Sequence, residues 1–160
     1  MSFVASRVIR CCRALCTVGV LAAGLGWASH AHAALGEDAD SVTTDQVRLQ
    51  AKLQLVQNED HTVHELQLPT GGRVRQFVGT TGKVFAVSWS GDWRPDLSAL
   101  MGKHYDRFLA AMKGRPKGRG PVRIEIPGLV VVMGGHQRAF FGHAYLTDLV
   151  PKGFRLEDIR

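Results

Sequence analysis

The chain has 160 residues, is 45% hydrophobic and carries a formal net charge of +6. A chain of this length suits a single domain with a core of its own. Three of its 20 Lys and Arg residues lie before residue 14, and the charge that remains beyond them is too modest to support nucleic-acid binding.

The N-terminus has the three parts of a secretory signal peptide. Three arginines precede the uncharged run ALCTVGVLAAGLGWA, and AHA at residues 31–33 supplies the small residues of a cleavage site. Because the uncharged run is shorter than the roughly 20 residues that span a bilayer, we expect cleavage after Ala33 rather than a membrane anchor. The expected organisation is a signal peptide over residues 1–33 and one periplasmic or secreted domain over residues 34–160, without cysteine and without a stable membrane span.

A series of strands is predicted in the first half of that domain. After a short helix that begins near Asp40 or Ser41, apolar and polar residues alternate from Val47 to Leu55, a period typical of a strand. Three clearer strands follow, HTVHELQL, RVRQFV and KVFAVSW, which are rich in β-branched and aromatic residues and are joined by short glycine-containing turns. The pattern predicts an antiparallel meander.

One amphipathic helix is predicted over RPDLSALMGKHYDRFLAAMKG. Asp96 is a suitable N-cap, apolar residues recur at helical spacing, and Gly114 and Pro116 end the pattern. A basic segment, residues 115–123, leads to the further strands PVRIEIP, GLVVVM and HQRAFFGHAYL. Strands, one helix and more strands, without βαβ repetition, predict an α+β domain in which the helix packs on an antiparallel sheet.

The segment VVVMGGHQRAFFGHAYL holds the densest group of chemically interesting residues. Two adjacent glycines are typical of a hairpin turn, so Gly134 and Gly135 are predicted to be the turn. In that register His136 and Arg138 share one face of the returning strand. His143 is an odd number of residues from His136, which places it on the other face. A ligand is then expected near His136 and Arg138.

No metal site, cofactor or catalytic residue is predicted. Five histidines lie beyond the expected cleavage site: His61, His64, His104, His136 and His143. Their spacing does not bring three or four ligands to one ion, and no thiolate remains. Carboxylates that meet only in the fold stay an open alternative, with Glu65, Asp92 and Asp96 as the first to inspect.

Aromatic and basic residues mark two further surfaces. The loop SWSGDWRPDL has the composition of a surface that stacks on sugars or holds a partner chain, with Trp93 beside Arg94. The alternative is that Trp89 lies in the core and Trp93 covers the end of the helix. The basic segment is either an anion-binding surface or a solvated Gly- and Pro-rich linker.

The chain resembles domain-of-unknown-function family 2844, which consists of small exported proteobacterial proteins. The stretches that carry the resemblance are ALG, TVHELQ, GKVFAVSWSG, PDL, GPV and GLVVVMGGHQRAFFGHAYL, and the likeness extends over residues 34–160. The resemblance implies a cell-envelope protein, and it offers no catalytic residue to carry over to this sequence.

Two functions follow as alternatives. The first is a non-enzymatic binding or accessory protein of the envelope that uses a surface or edge of the sheet, together with Trp93, Arg94 and the basic segment, to hold a protein or an anionic polymer. The second is a hydrolase acting on envelope material, with histidine or carboxylate groups in a cleft formed by His64, His136 and Arg138. We expect the second to fail if the side chains of His64, His136 and His143 lie more than about 10 Å apart, well beyond hydrogen-bond reach.

Overall fold

The computed structural model describes most of the chain beyond the predicted cleavage site. The described residues are 35–40, 42, 46–47, 49–115, 118 and 120–159. The predicted signal peptide lies outside them, and so do three positions of the basic segment. Val42, Gln46 and Leu49 have helical backbone, where the sequence predicts a short helix.

In the part of the chain that the structure describes, seven strands form one antiparallel sheet. In chain order they are β1 (Lys52–Gln57), β2 (His61–Gln67), β3 (Arg73–Gly79), β4 (Val84–Gly91), β5 (Val122–Ile126), β6 (Leu129–His136) and β7 (Ala139–Tyr145). Their order across the sheet is β1-β2-β3-β4-β7-β6-β5. The antiparallel sheet is confirmed, and the second group of strands extends the first because β7 pairs with β4. The domain is therefore mostly β with a helical segment.

The helical segment is interrupted near its start. It has three parts: α1 (Leu97–Met101), a 3-10 turn (Gly102–His104) and α2 (Tyr105–Lys113). The Asp96 carboxylate caps α1, since it accepts hydrogen bonds from the backbone N–H groups of Ser98 at 3.0 Å and Ala99 at 3.3 Å. Gly102, with a φ of 50°, takes a left-handed conformation that ends α1 where the sequence predicts continuous helix.

The two faces of the sheet have different surroundings. On the face that we call the helix face, strand residues such as Val74, Val87 and Val131 share a buried cluster with the helical residues Leu100 and Phe108. The opposite, open face carries the alternate residues of the same strands. A C-terminal segment, residues 147–159, covers about half of the open face and leaves the other half as a groove.

Apolar residues hold the C-terminal segment on the sheet. Ile159 is fully buried and lies in one cluster with Phe77, Phe85 and Tyr145. The ring of Phe154 meets that of Phe85 edge-on, with 4.9 Å between their centroids. Such edge-to-face contacts between rings add to the burial of apolar area.

The turn between β6 and β7 is at Gln137 and Arg138, so its predicted place at Gly134 and Gly135 is wrong. His136 pairs with Ala139, and both glycines lie inside β6. Arg138 takes the left-handed conformation that the turn needs, with a φ of 67°.

The glycine at position 134 has a packing role instead. Gly134 lies opposite Phe141, and a Cβ added at Gly134 would come within 2.7 Å of the Phe141 ring. The far edge of that ring therefore lies over the glycine, an arrangement in which an aromatic side chain covers a glycine of the neighbouring strand. In the sequence the two glycines suggested a turn because adjacent glycines are typical of turns. A glycine that makes room for a neighbouring ring looks the same in the sequence.

Candidate functional site

His64 lies apart from the other two residues of the predicted hydrolase cleft, His136 and Arg138. His64 pairs with Gln76 on β3 and points to the helix face, two residues from the buried Leu66. His136 lies on the open face by the observed register, and Arg138 lies in the turn rather than on the strand. The sheet thus separates His64 from His136, and the cleft predicted from them is not formed.

The observed turn also changes how the two hairpin histidines relate. His136 and His143 share the open face, whereas the sequence predicts opposite faces. His143 pairs with Val132, four residues along β6 from His136, so their Cα atoms are roughly 13 Å apart at about 3.3 Å per residue. No group of three or more metal-ligating side chains occurs among the residues that the structure describes.

His64 is half-buried and its surroundings disfavour its charged form. Its Nδ1 atom is buried without a hydrogen-bond partner among the described residues. Burial lowers the pKa of His64 below its usual value, because an imidazolium loses hydration there. His64 is therefore a neutral side chain of the helix face near neutral pH.

Trp93 and Arg94, the predicted aromatic and basic surface, lie near the start of the helical segment. Trp93 is half-buried against the main core, and a Cβ added at Gly72 would come within 2.5 Å of its Nε1 atom. The guanidinium of Arg94 lies 5.0 Å from the centroid of the Phe140 ring, a cation–π contact. Trp89 is buried in the core, as the alternative interpretation of this loop predicts.

A groove on the open face is the site that sequence reasoning missed. It encloses about 490 Å³ on the half of the sheet that the C-terminal segment leaves uncovered. The side chains that give it its chemistry are Arg73, Arg75, Ser88, Phe141, His143 and Arg123. Of the basic segment, Arg123 lies in β5 and reaches this groove.

A continuous row of paired residues crosses six strands along the groove. From β2 to β5 its members are Glu65, Arg75, Ser88, His143, Val132 and Arg123. Strands lie about 4.8 Å apart, so the Cα atoms of Arg75 and Arg123, four strands apart, are separated by roughly 19 Å. The row therefore has a guanidinium near each end and polar side chains on its floor.

A second row runs parallel to the first, two residues further along each strand. Arg73, Ser90, Phe141 and Gly134 follow one another across β3, β4, β7 and β6. Phe141 is 46% exposed and lines the groove. The second row adds a cation, a hydroxyl and an aromatic ring to the groove.

Two arginines at one end of the groove are held close together. The Nη2 group of Arg75 donates to the carbonyl oxygen of Ile159 at 3.3 Å, and its guanidinium lies 5.7 Å from the Phe77 ring centroid. Arg73 pairs with Glu65 through a contact of 3.1 Å. Burial and the nearby charge of Arg73 lower the pKa of Arg75, and Glu65 opposes them. This end of the groove thus has two guanidinium groups and one carboxylate, and a bound anion would add a second negative charge beside them.

The arginine at the other end is oriented by a carboxylate. Arg123 donates from Nε at 3.3 Å and from Nη2 at 3.0 Å to the same oxygen of Glu125. Hydrogen bonds to Glu125 and to Tyr145 raise the pKa of Arg123. A guanidinium has five N–H donors, so this pairing leaves donors that can contact a ligand.

The sequence contained a signal for the groove in three i, i+2 pairs. Arg73 and Arg75, Ser88 and Ser90, and Phe141 and His143 each alternate with a residue of the other face. Strand alternation alone places each pair on one side of its own strand. Pairing of β4 with β7 then brings the three pairs together.

The fold and the groove define a small, mostly β protein with an arginine-lined surface on one side of a single sheet. Residues 31–159 match the family described as "Protein of unknown function (DUF2844)", and the chain belongs to that family. The resemblance predicted from the sequence is thus confirmed. No curated protein and no solved structure matches the chain. Among the described residues, no helix has the length and apolar character to cross a membrane.

Proposed function

We propose that the protein is an exported, non-enzymatic binding protein of the cell envelope that holds an anionic ligand in the open-face groove. One observation carries the proposal: three arginines from β3 and β5 line one concave surface, with Ser88 and His143 between them. Export is supported by the signal peptide predicted over residues 1–33.

Guanidinium groups favour a ligand with carboxylate, phosphate or sulfate groups. An arginine can donate two parallel hydrogen bonds to such a group, which adds directional specificity to the charge attraction. Arg75 and Arg123 are already oriented by protein acceptors, the Ile159 carbonyl and the Glu125 carboxylate. Side chains that are held in place lose less conformational entropy when a ligand binds.

Binding of inorganic phosphate to residues 34–160, followed by NMR titration, tests the proposal. Arg73→Gln is expected to weaken the affinity by about tenfold, because a hydrogen bond to a charged group contributes about 1.5–3 kcal/mol. Arg155→Gln is the matched control, since Arg155 is exposed and is also paired with a carboxylate, at 3.2 Å from Asp158. Equal affinity of the two variants and the unmodified protein would contradict the proposal.

A hydrolase is the second candidate, and one contact favours it. Ser88 and His143 are paired directly on neighbouring strands of the groove, where Cβ atoms lie about 4.5–5.5 Å apart. Against it, Ser88 is only 5% exposed and lies within a strand rather than on the strand-to-helix turn of a serine nucleophile. Covalent labelling by a fluorophosphonate that Ser88→Ala abolishes would favour the hydrolase over the binding protein.

A further inference from the structure

The size and direction of the groove indicate the class of its ligand. We propose that the groove binds a linear acidic oligosaccharide, a chain of uronate sugars, that lies across the strands from Arg73 and Arg75 to Arg123. This inference rests on the function proposed above and adds to it the length, direction and chemistry of the ligand.

The distance between the two cationic ends favours an extended ligand. Arg75 and Arg123 belong to the same cross-strand row, with three strands between theirs, which separates their Cα atoms by roughly 19 Å. Each guanidinium is held by an acceptor near its own strand, the Ile159 carbonyl and the Glu125 carboxylate. A ligand that contacts both ends is therefore expected to be a chain rather than a single phosphate.

The floor between the two ends suits sugar hydroxyls better than a dense series of phosphates. Ser88, Ser90 and His143 line it, and both a hydroxyl group and an imidazole ring can form hydrogen bonds with sugar hydroxyls. Phosphates along a nucleic acid need cations throughout the contact surface. In this groove the guanidinium groups are confined to β3 and β5, so their direct contacts with anionic groups of the ligand are expected near the two ends of the bound segment.

The exposed ring of Phe141 provides a surface for the apolar face of a sugar. Its far edge lies over Gly134, where a Cβ would come within 2.7 Å, and 46% of the residue is exposed. The π surface of an aromatic ring is negative and attracts the polarised C–H groups of a pyranose. Phe141 lies in the second row, between Arg73 and the β6 edge of the groove, in the path of such a chain.

The carboxylates beside the arginines reduce the positive charge of the groove. Glu65 pairs with Arg73 and Glu125 pairs with Arg123, so these four side chains and Arg75 together leave one positive charge, at the β3 end. Charge alone therefore does not select the ligand, and the polar floor and the Phe141 ring carry the choice of an oligosaccharide.

Isothermal titration of residues 34–160 with oligogalacturonates of increasing length tests the inference. The affinity is expected to rise at least about tenfold from the monomer to the hexamer, because one ligand then engages both ends. The fully methyl-esterified hexamer, which has the same backbone without its charges, is expected not to bind. Phe141→Leu is expected to lower the hexamer affinity several-fold.

Arg123→Gln separates this inference from the proposed function. Arg123 is exposed, so the variant is expected to fold, as circular dichroism and the unfolding temperature will show. It is expected to remove the gain in affinity with oligosaccharide length, so that the hexamer binds no more tightly than the monomer. Arg155→Gln serves again as the control, and its affinity is expected to rise with oligosaccharide length as that of the unmodified protein does.

Three results would overturn the inference. An affinity for oligogalacturonate that does not depend on length, while phosphate still binds, would leave the proposed function and reject the acidic oligosaccharide. Tighter binding of oligoglutamate or of a single-stranded oligonucleotide of equal charge would identify another class of polymer. Failure of phosphate and of every oligosaccharide to bind would reject both the inference and the proposed function.

Discussion

The two halves of the open face use the same strands and differ in what covers them. In one half Phe77, Ala86 and Tyr145 form an apolar row beneath the C-terminal segment. Two residues further along each strand, Arg75, Ser88 and His143 form the polar row of the groove. Side-chain polarity along each strand therefore decides where the C-terminal segment packs, and so which part of the sheet remains accessible.

Loss of a buried side chain from the covered half is expected to have the largest effect. Ile159 is fully buried, so Ile159→Ala is expected to lower the free energy of unfolding by about 2–4 kcal/mol, measured by urea denaturation of residues 34–160. Leu156 belongs to the same segment and is 44% exposed, so Leu156→Ala is expected to change it by less than about 0.5 kcal/mol. Equal losses for both variants would show that the segment does not cover the sheet as described.

Gly134→Ala, in the uncovered half, is expected to affect stability less than Ile159→Ala does and to affect binding more. The added methyl group displaces the far end of the Phe141 ring, which has room to move because it is partly exposed. The free energy of unfolding is expected to change by less than about 1 kcal/mol, whereas the affinity for the oligogalacturonate hexamer falls several-fold.

Gly118→Ala is the control for that change. Nothing lies within 4 Å of a Cβ added at Gly118, so both the stability and the affinity are expected to stay unchanged. Unchanged hexamer affinity for Gly134→Ala would mean that the position of the Phe141 ring has no role in binding.

Local patterns predict much of this fold because its strands alternate clearly. The period-two order of β2, β3 and β4 and the capping carboxylate of Asp96 need only neighbouring residues to be recognised. The face of each i, i+2 pair, such as Arg73 and Arg75, follows from the same alternation.

The groove depends on pairings that no local pattern contains. β4 and β7 are far apart in the chain, and only their contact brings Ser88 beside His143. The position of the C-terminal segment, anchored by Ile159, decides which half of the open face stays uncovered. The predicted position of the hairpin turn is wrong for a related reason. Gly134 makes room for the Phe141 ring of the neighbouring strand, and it is not needed there for a turn conformation of the backbone.

A residue-by-residue NMR map of oligogalacturonate binding to residues 34–160 tests the central claim most directly. The largest changes in amide chemical shift are expected along the groove, at Arg73, Ser88 and His143 and, with the hexamer, also at Arg123. Changes centred instead on the helix face near His64, with the groove unperturbed, would contradict the assignment of the open-face groove as the binding site.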